Sequence, residues 1–370
     1  MYTAALLDPE RFHVEVLSGP QTGSEGSLIE EVRAREIPLI VLPDLLRQIS
    51  PLHDLRALDK MRRIIRAAGY QIVHTHSSKA GILGRLAAYQ AGTPIIVHTV
   101  HGWSFHEYMS PLTKMAYILL ERRMASFSDA LIVVAERDAS KGMQAGIGRA
   151  EQYHCIRSAI PLDEFNPAKF DKEAIRRELG IPVDSIVIGN VGRFSVQKNP
   201  LDWIRAAGRI GRESPQAYFV LVGDGPLRRE CEAEVQKRGI ADRTIFTGLR
   251  RDAARMLAAM DIFLLTSLWE GLPRVIPQAM AMSLPVVANR ADGTIEAIRD
   301  RVNGYLCAAG EIDQMAMRCI ELAANRQKRA EMGQRGRELA VNEFDLCEMI
   351  TKIEALYQNL LEKKGGNQRA

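Results

Sequence analysis

Ser185-Ile186-Val187-Ile188-Gly189-Asn190-Val191-Gly192-Arg193-Phe194-Ser195-Val196-Gln197-Lys198-Asn199-Pro200 reads as a strand, a sharp turn and a loop with two cations, running into the helical pattern Leu201–Arg212. The run Ile186–Val191 is nearly continuously apolar, with no in-and-out alternation. Such strands are buried on both faces and belong to parallel sheets. Gly192 lets the chain turn at the strand end.

The same grammar extends in both directions. Towards the amino terminus the strand candidates are His13–Leu17, Pro38–Leu42, Gln71–Thr75, Pro94–Thr99, Ala130–Val134 and Tyr153–Ile156, with helical stretches Asp54–Ala68, Gly81–Ala91 and Leu112–Ser126 between them. Towards the carboxyl terminus they are Tyr218–Val222, Thr244–Phe246, Asp261–Thr266, Leu284–Ala288 and Gly304–Leu306, with helices Leu227–Arg238, Ala253–Ala259 and Ile276–Met282. The pattern runs twice and breaks near Asp163–Lys172, where Pro161, Pro167 and a charged stretch interrupt it. The expected fold class is α/β, with two Rossmann-like, doubly wound parallel-sheet domains facing a cleft. The expected boundaries are an N-terminal domain over 1–165, a C-terminal domain over 166–345, and over 346–370 a helix packing back towards the N-terminal domain plus a disordered tail beyond Lys363.

Bulk properties agree with two ordinary cores. The 370 residues are 46% hydrophobic and 25% charged, too long for one core and comfortable for two. No run approaches the roughly 20 apolar residues of a membrane span, and no segment after Met1 reads as a signal peptide, so the cytoplasm is the expected compartment. The five cysteines are scattered without a CxxC pair, which argues against a disulfide framework or a structural zinc site. A net charge of +4 suits an anionic ligand or membrane surface; it is too small to suggest nucleic acid, and no aromatic-and-basic RNA motif accompanies it.

Residues just after the strands are the ones to read for chemistry. In the first loop, Arg193 and Lys198 stand before a helix N-terminus. The loop reads equally as an anion site or as a solvated connection with two surface cations. Gly223-Asp224-Gly225-Pro226 begins like a dinucleotide fingerprint but has Arg228 at its sixth position, and a tight strand-to-helix turn is its simpler meaning. Phe246-Thr247-Gly248 is another strand ending in a turn. Ser267-Leu268-Trp269-Glu270-Gly271-Leu272-Pro273-Arg274-Val275-Ile276-Pro277-Gln278 places a carboxylate, then Gly and Pro, before a helix with Pro277 in its first turn. Glu270 there reads either as a ligand-facing acid or as a helix N-terminal acid held by the dipole.

Together, GRxxxxK, GDGP, FTG and LxEGLPxxxxxAMAxxLPVVA, each after a strand, resemble the C-terminal half of the retaining glycosyltransferases of family 4, which have the GT-B fold. Asp292-Gly293-Thr294-Ile295-Glu296 and Val302-Asn303-Gly304-Tyr305-Leu306 continue the likeness. In the first half, His74-Thr75-His76, His98-Thr99-Val100-His101-Gly102 and Cys155-Ile156-Arg157-Ser158 agree in outline. The resemblance implies that Arg193 and Lys198 grip a donor diphosphate. It implies that Glu270 contacts hydroxyls of the transferred sugar, and that the N–H groups following it, at Gly271, Leu272, Arg274 and Val275, face sugar and phosphate. Pro273 has no N–H to offer. His101 would reach the sugar from the N-terminal domain, and Gly248 to Arg250 would line the base pocket. Where the family carries a second acid to hold the ribose, this chain has Gln278, which can accept and donate one hydrogen bond each but carries no charge. The family also opens with a central strand and a glycine-rich loop. Met1-Tyr2-Thr3-Ala4-Ala5-Leu6-Leu7 stands where the helix after that loop is under way, so the first N-terminal strand is expected to be missing, either because the start lies upstream or because the chain is impaired.

The activity so implied is transfer of a sugar from a nucleotide-diphosphate sugar, with UDP or GDP as the carrier, onto a glycan, lipid-linked or small-molecule acceptor, as in polysaccharide biosynthesis. Charge growing on the departing diphosphate would be met by preorganised cations and N–H groups. No cofactor and no metal is expected, since no DxD-type acidic cluster follows a strand. A non-catalytic nucleotide-sugar-binding or scaffold protein, or a sugar-nucleotide epimerase on the same fold, is the alternative. Leu112–Met124 mixes apolar residues with cations, as interfacial helices do, and as core-packed helices with a basic edge also do. Peripheral attachment to the inner face of an anionic membrane is therefore a further expectation.

Overall fold

The computed structural model describes residues 2–20 and 27–366. Its strands are β1 (Val16–Ser18), β2 (Leu39–Val41), β3 (Ile72–His76), β4 (Ile95–Val100), β5 (Ala130–Val133), β6 (Tyr153–Cys155), β7 (Ile186–Val191), β8 (Ala217–Val222), β9 (Thr244–Gly248), β10 (Ile262–Leu265), β11 (Val286–Asn289) and β12 (Gly304–Cys307). Every pairing between them is parallel. Each overlaps a run picked out by its apolar, β-branched character. The described residues through Arg157, joined by those from Cys347 on, form one compact unit; Ser158–Leu346 forms the other.

In the Ser158–Leu346 unit the strand order is β12-β11-β10-β7-β8-β9. The chain winds outward from β7 through β8 to β9, returns to the middle at β10, and winds the other way to β12. The reversal lies between β7 and β10, and the carboxyl ends of those strands are where an open parallel sheet leaves a crevice. The two central strands are anchored at their opposite ends by Asp261, whose carboxylate accepts from Val187 N (2.8 Å), Arg176 Nη2 (2.6 Å) and Lys172 Nζ (2.7 Å). Between helix and sheet, Trp203 is fully buried and donates from Nε1 to Leu264 O at 3.0 Å.

In the other unit β3, β4, β5 and β6 form a four-stranded sheet, and β1 pairs with β2 in a separate two-stranded sheet. Among the described residues no strand joins the two, so the His13–Leu17 run does not close the larger sheet. Tyr2–Leu6 is helical. Ile350, Ile353, Leu356 and Tyr357 of the helix Leu346–Gly366 pack on Ile95, Val97, Ala130 and Ile132 of the larger sheet. That helix runs past Lys363, so Gly365 and Gly366, expected in a disordered tail, are helical. Asn367 and Gln368 lie outside the described residues. On the far face, Arg85 and Glu121 form an ion pair at 2.7 Å, almost wholly buried, between the helices Ser78–Ala91 and Pro111–Ala125.

Candidate active site

The loops after β7, β8 and β9 are stitched together by backbone hydrogen bonds. Gly192 N donates to Val222 O (2.9 Å), Phe194 N to Asp224 O (2.9 Å), Leu227 N to Phe194 O (3.0 Å) and Gly223 N to Gly248 O (2.9 Å). The stitching explains the glycines. Gly223 has φ +129°, and a Cβ there would stand 2.1 Å from Gly192 O. Gly223-Asp224-Gly225 is thus a tight turn bearing on the neighbouring loop, the simpler of its two meanings. Arg228 lies over the Phe246 ring, 4.4 Å from its centroid.

The β7 loop is tied equally firmly to the loop after β10. Leu268 N donates to Gln197 O (2.8 Å), Gln197 Nε2 to Trp269 O (3.0 Å), and Thr266 Oγ1 to Asn199 O (2.8 Å). The result is that Lys198 and Glu270, 72 positions apart in the chain, meet in an ion pair at the point where the strand order reverses. The Lys198 side chain is 24% exposed and that of Glu270 only 7%. Arg193 is half-buried in the same loop. Gly271 and Leu272 are buried behind Glu270, Arg274 and Val275 lead into the helix Val275–Ala281, and Gln278 is half-buried in that helix. Arg250 follows β9 and grips Asp252 with two hydrogen bonds, 2.8 and 2.6 Å.

Two supporting residues carry no role in the sequence reading. Asp292 Oδ2 accepts from Glu270 N at 3.1 Å, and Gly293 N donates to Gly271 O at 3.0 Å, so the segment after β11 props up the acid corner. Asn289, buried at the end of β11, donates from Nδ2 to Thr266 O at 2.8 Å. The legible signal was a polar residue closing the apolar run Val286-Val287-Ala288. His101 belongs to the other unit, directly after β4.

A buried acid and an adjacent cation at the reversal point of a doubly wound sheet, on loops locked by glycine turns, make a site for an anionic, polyhydroxylated ligand. With a second parallel α/β unit in the chain, this is the build of a GT-B glycosyltransferase. Residues 171–339 match the family described as Glycosyl transferases group 1, and residues 1–157 match Glycosyl transferase 4-like domain. The chain is 32% identical over 365 residues, covering 97% of it and 92% of the relative, to the UDP-Gal:alpha-D-GlcNAc-diphosphoundecaprenol alpha-1,3-galactosyltransferase of Escherichia coli. It is 27% identical to the N-acetyl-alpha-D-glucosaminyl L-malate synthase of Bacillus anthracis, over 84% of this chain and 80% of the relative. Among solved structures, Anabaena HepE in complex with UDP and glucose superposes with a TM-score of 0.82 at 24% identity, covering 94% of this chain and all of that one. The chain belongs to the group 1 glycosyltransferases.

Proposed function

We propose that the chain transfers a hexose from a UDP-sugar to a sugar carried on a polyprenyl diphosphate, with retention of anomeric configuration. The observation that carries the reading is the Lys198–Glu270 ion pair at the reversal of the sheet. An arriving diphosphate competes with Glu270 for Lys198. As Lys198 and Arg193 turn to the phosphates, the Glu270 carboxylate is freed to accept from sugar hydroxyls. The bond between the anomeric carbon and the phosphate oxygen then breaks with charge growing on the diphosphate, where fixed cations and the N–H groups at Gly271, Leu272, Arg274 and Val275 stabilise it. The acceptor hydroxyl attacks from the face the diphosphate leaves, and its proton passes to the departing phosphate oxygen. Gly248 and Arg250 line the base, Gln278 meets the ribose, and His101 meets the sugar. The reading invokes no cofactor and no metal.

The acceptor class is supported by the name of the Escherichia coli relative, which specifies a diphosphoundecaprenol-linked sugar, and by the surface of the Pro111–Ala125 helix. Leu112 is 85% exposed, and Met115 and Leu119 continue the same face with Arg122 and Arg123. A cytoplasmic enzyme resting by this helix on the inner face of an anionic membrane would meet a lipid-linked acceptor there.

The test is UDP release from UDP-galactose on adding GlcNAc-diphosphoundecaprenol, with the product's anomeric coupling read by NMR. Release that depends on acceptor, and an α-linked product, are expected. Isomerised donor without acceptor would identify an epimerase instead, and binding of UDP with no turnover on any acceptor a non-catalytic binder.

A further inference from the structure

Half of the chain's eight histidines, His74, His76, His98 and His101, gather at the carboxyl ends of β3 and β4. The parallel register sets His76 beside Thr99 and Thr75 beside His98. Side chains two apart share a face, so His74, His76, Thr99 and His101 stand together while Thr75 and His98 face the other way. Both strands end abruptly: Ser77, after His76, has φ +61°, and Gly102, after His101, has φ +111°. A left-handed serine is a strained choice that only its surroundings hold in place.

On the shared face the rings form a supported stack. His74 is fixed from both sides, by Tyr357 Oη at 2.5 Å from Nδ1 and by Thr99 Oγ1 at 2.7 Å from Nε2. The His76 ring lies 4.4 Å from that of His74 and 5.3 Å from that of His101. His76 Nδ1 and His101 Nε2 share a hydrogen bond of 3.1 Å. We propose that His76 is a positioning residue for His101, fixing the tautomer and ring plane with which that imidazole meets the sugar. The proposal rests on the reading of His101 as facing the donor.

The bond between the two rings has room for one proton. One nitrogen carries it and the other accepts, so each ring settles the other's tautomer. The arrangement requires that the two rings not both be protonated, since neither nitrogen could then accept. His76 is exposed at the strand end, yet the protein packed about its ring, followed by the neighbouring His74 and His101, holds it well below the ordinary imidazole range. The titratable groups that act on it are His74 on β3, His98 on β4 and His101; Arg85, which acts on His98, and Lys79 stand on the helix Ser78–Ala91. Arg85 is neutralised by Glu121 and Lys79 by Asp54. Among the described residues no carboxylate is paired with His76.

The test uses the full chain with 15N-labelled histidine. Two-bond 1H–15N spectra should show His101 as a single neutral tautomer near neutral pH. His76→Phe keeps a ring in the stack but removes both nitrogens. His101 should then populate both tautomers, and kcat for UDP release from UDP-galactose should fall by about 10- to 100-fold, with KM changing less than about threefold. His76→Asn can place an amide where Nδ1 stands and should restore the single tautomer and most of the rate. If the larger ring of His76→Phe prevents folding, His76→Ala is read in the same way. An unchanged His101 spectrum on loss of the His76 nitrogens overturns the proposal, as does a His76→Asn variant no better than His76→Phe. His101→Ala tests the underlying reading separately: full turnover in that variant removes His101 from the reaction, whatever its tautomer.

Discussion

The two units hold their polar strand ends by different means. In Ser158–Leu346 the loops after β7, β8, β9 and β10 are locked to one another largely through backbone, and glycines such as Gly223 are the trace that this leaves in the sequence. In the other unit the polar groups at the ends of β3 and β4 are held by one another's side chains, His76 on His101 and Tyr357 on His74. Geometry fixed by backbone is robust to pH. Geometry fixed by neutral imidazoles is not, and the largest expected effect follows from that.

Burial holds His74 down to about 3 and, with Arg85 and the neighbouring histidines, holds His98 well below its ordinary value. Unfolded, both titrate near 6.5. Between those limits the unfolded chain binds protons that the folded chain refuses, so stability falls as pH falls, by roughly 1.4 kcal/mol per pH unit for each such histidine. Asp261 in the other unit behaves differently. Burial works to raise its carboxyl, but Lys172, Arg176 and the Val187 N–H overcome this and lower it. Its contribution is therefore complete above the ordinary aspartate range and is lost only as pH falls through the lowered value. Hydrogen exchange at stepped pH should show the His74 unit losing protection below about pH 6 while Ser158–Leu346 keeps it to about pH 4. Simultaneous loss in both units would break the contrast.

The next effect belongs to the backbone-locked site. Lys198→Ala and Arg193→Ala should each lower transfer by about 10²–10³-fold, the usual cost of removing one group that stabilises developing charge. The two variants are informative as a pair, because Lys198→Ala also leaves Glu270 without its ion partner and Arg193→Ala leaves that pair intact. Near-normal turnover in both would show that the loop is an ordinary solvated connection. A smaller contrast lies along the corner after β10. On the proposed reading position 270 faces the reacting sugar and 278 the ribose, so Glu270→Gln should be more damaging than Gln278→Glu; steady-state kinetics with the reverse ranking would mean the corner is turned the other way.

The same difference decided what could be read in advance. All twelve strands of the described residues were legible, because parallel strands buried on both faces are written as apolar runs between turns. The β7 and β10 loops were legible as motifs, since each is a short local run of glycine and charged residues directly after an apolar strand. Their meeting was not: the Lys198–Glu270 pair and the Glu270–Asp292 bond join segments that only the strand order brings together. The His76–His101 bond was hidden for the same reason, as His-Thr-His looks like ordinary strand alternation until the register of β3 on β4 is known. The last turns of the helix, through Gly366, were not legible, because Gly365 and Gly366 have no helix-forming side chain and tertiary packing of the preceding turns carries the helix on.

The smallest expected effect lies on the surface of the histidine-bearing unit and sharpens the comparison from outside. A helix covering a sheet turns its apolar side inward, yet in Pro111–Ala125 the residues Leu112, Met115 and Leu119, spaced by three and four, stand on the exposed side. The helix has one acid, Glu121, and that is buried against Arg85, so the helix itself sets no negative charge beside its apolar stripe. Arg123 lies 4.5 Å over the Phe127 ring, and Phe127 stacks on the exposed Tyr89 at 4.1 Å, adding an aromatic and a cation at one end of the stripe. Apolar, aromatic and basic groups in one patch match the interfacial layer of an anionic bilayer better than they match water. Burying each leucine side chain is worth about 1.5–3 kcal/mol at most, and partial insertion realises a fraction of that. Leu112→Ser with Leu119→Ser should therefore weaken sedimentation with phosphatidylglycerol vesicles at low salt by about tenfold, and Arg122→Gln with Arg123→Gln by a comparable factor that vanishes at high salt. UDP binding by Ser158–Leu346 should be untouched in all four substitutions. Wild-type protein that stays in the supernatant with anionic vesicles at low salt would refute the membrane reading and leave the exposed stripe for a protein partner.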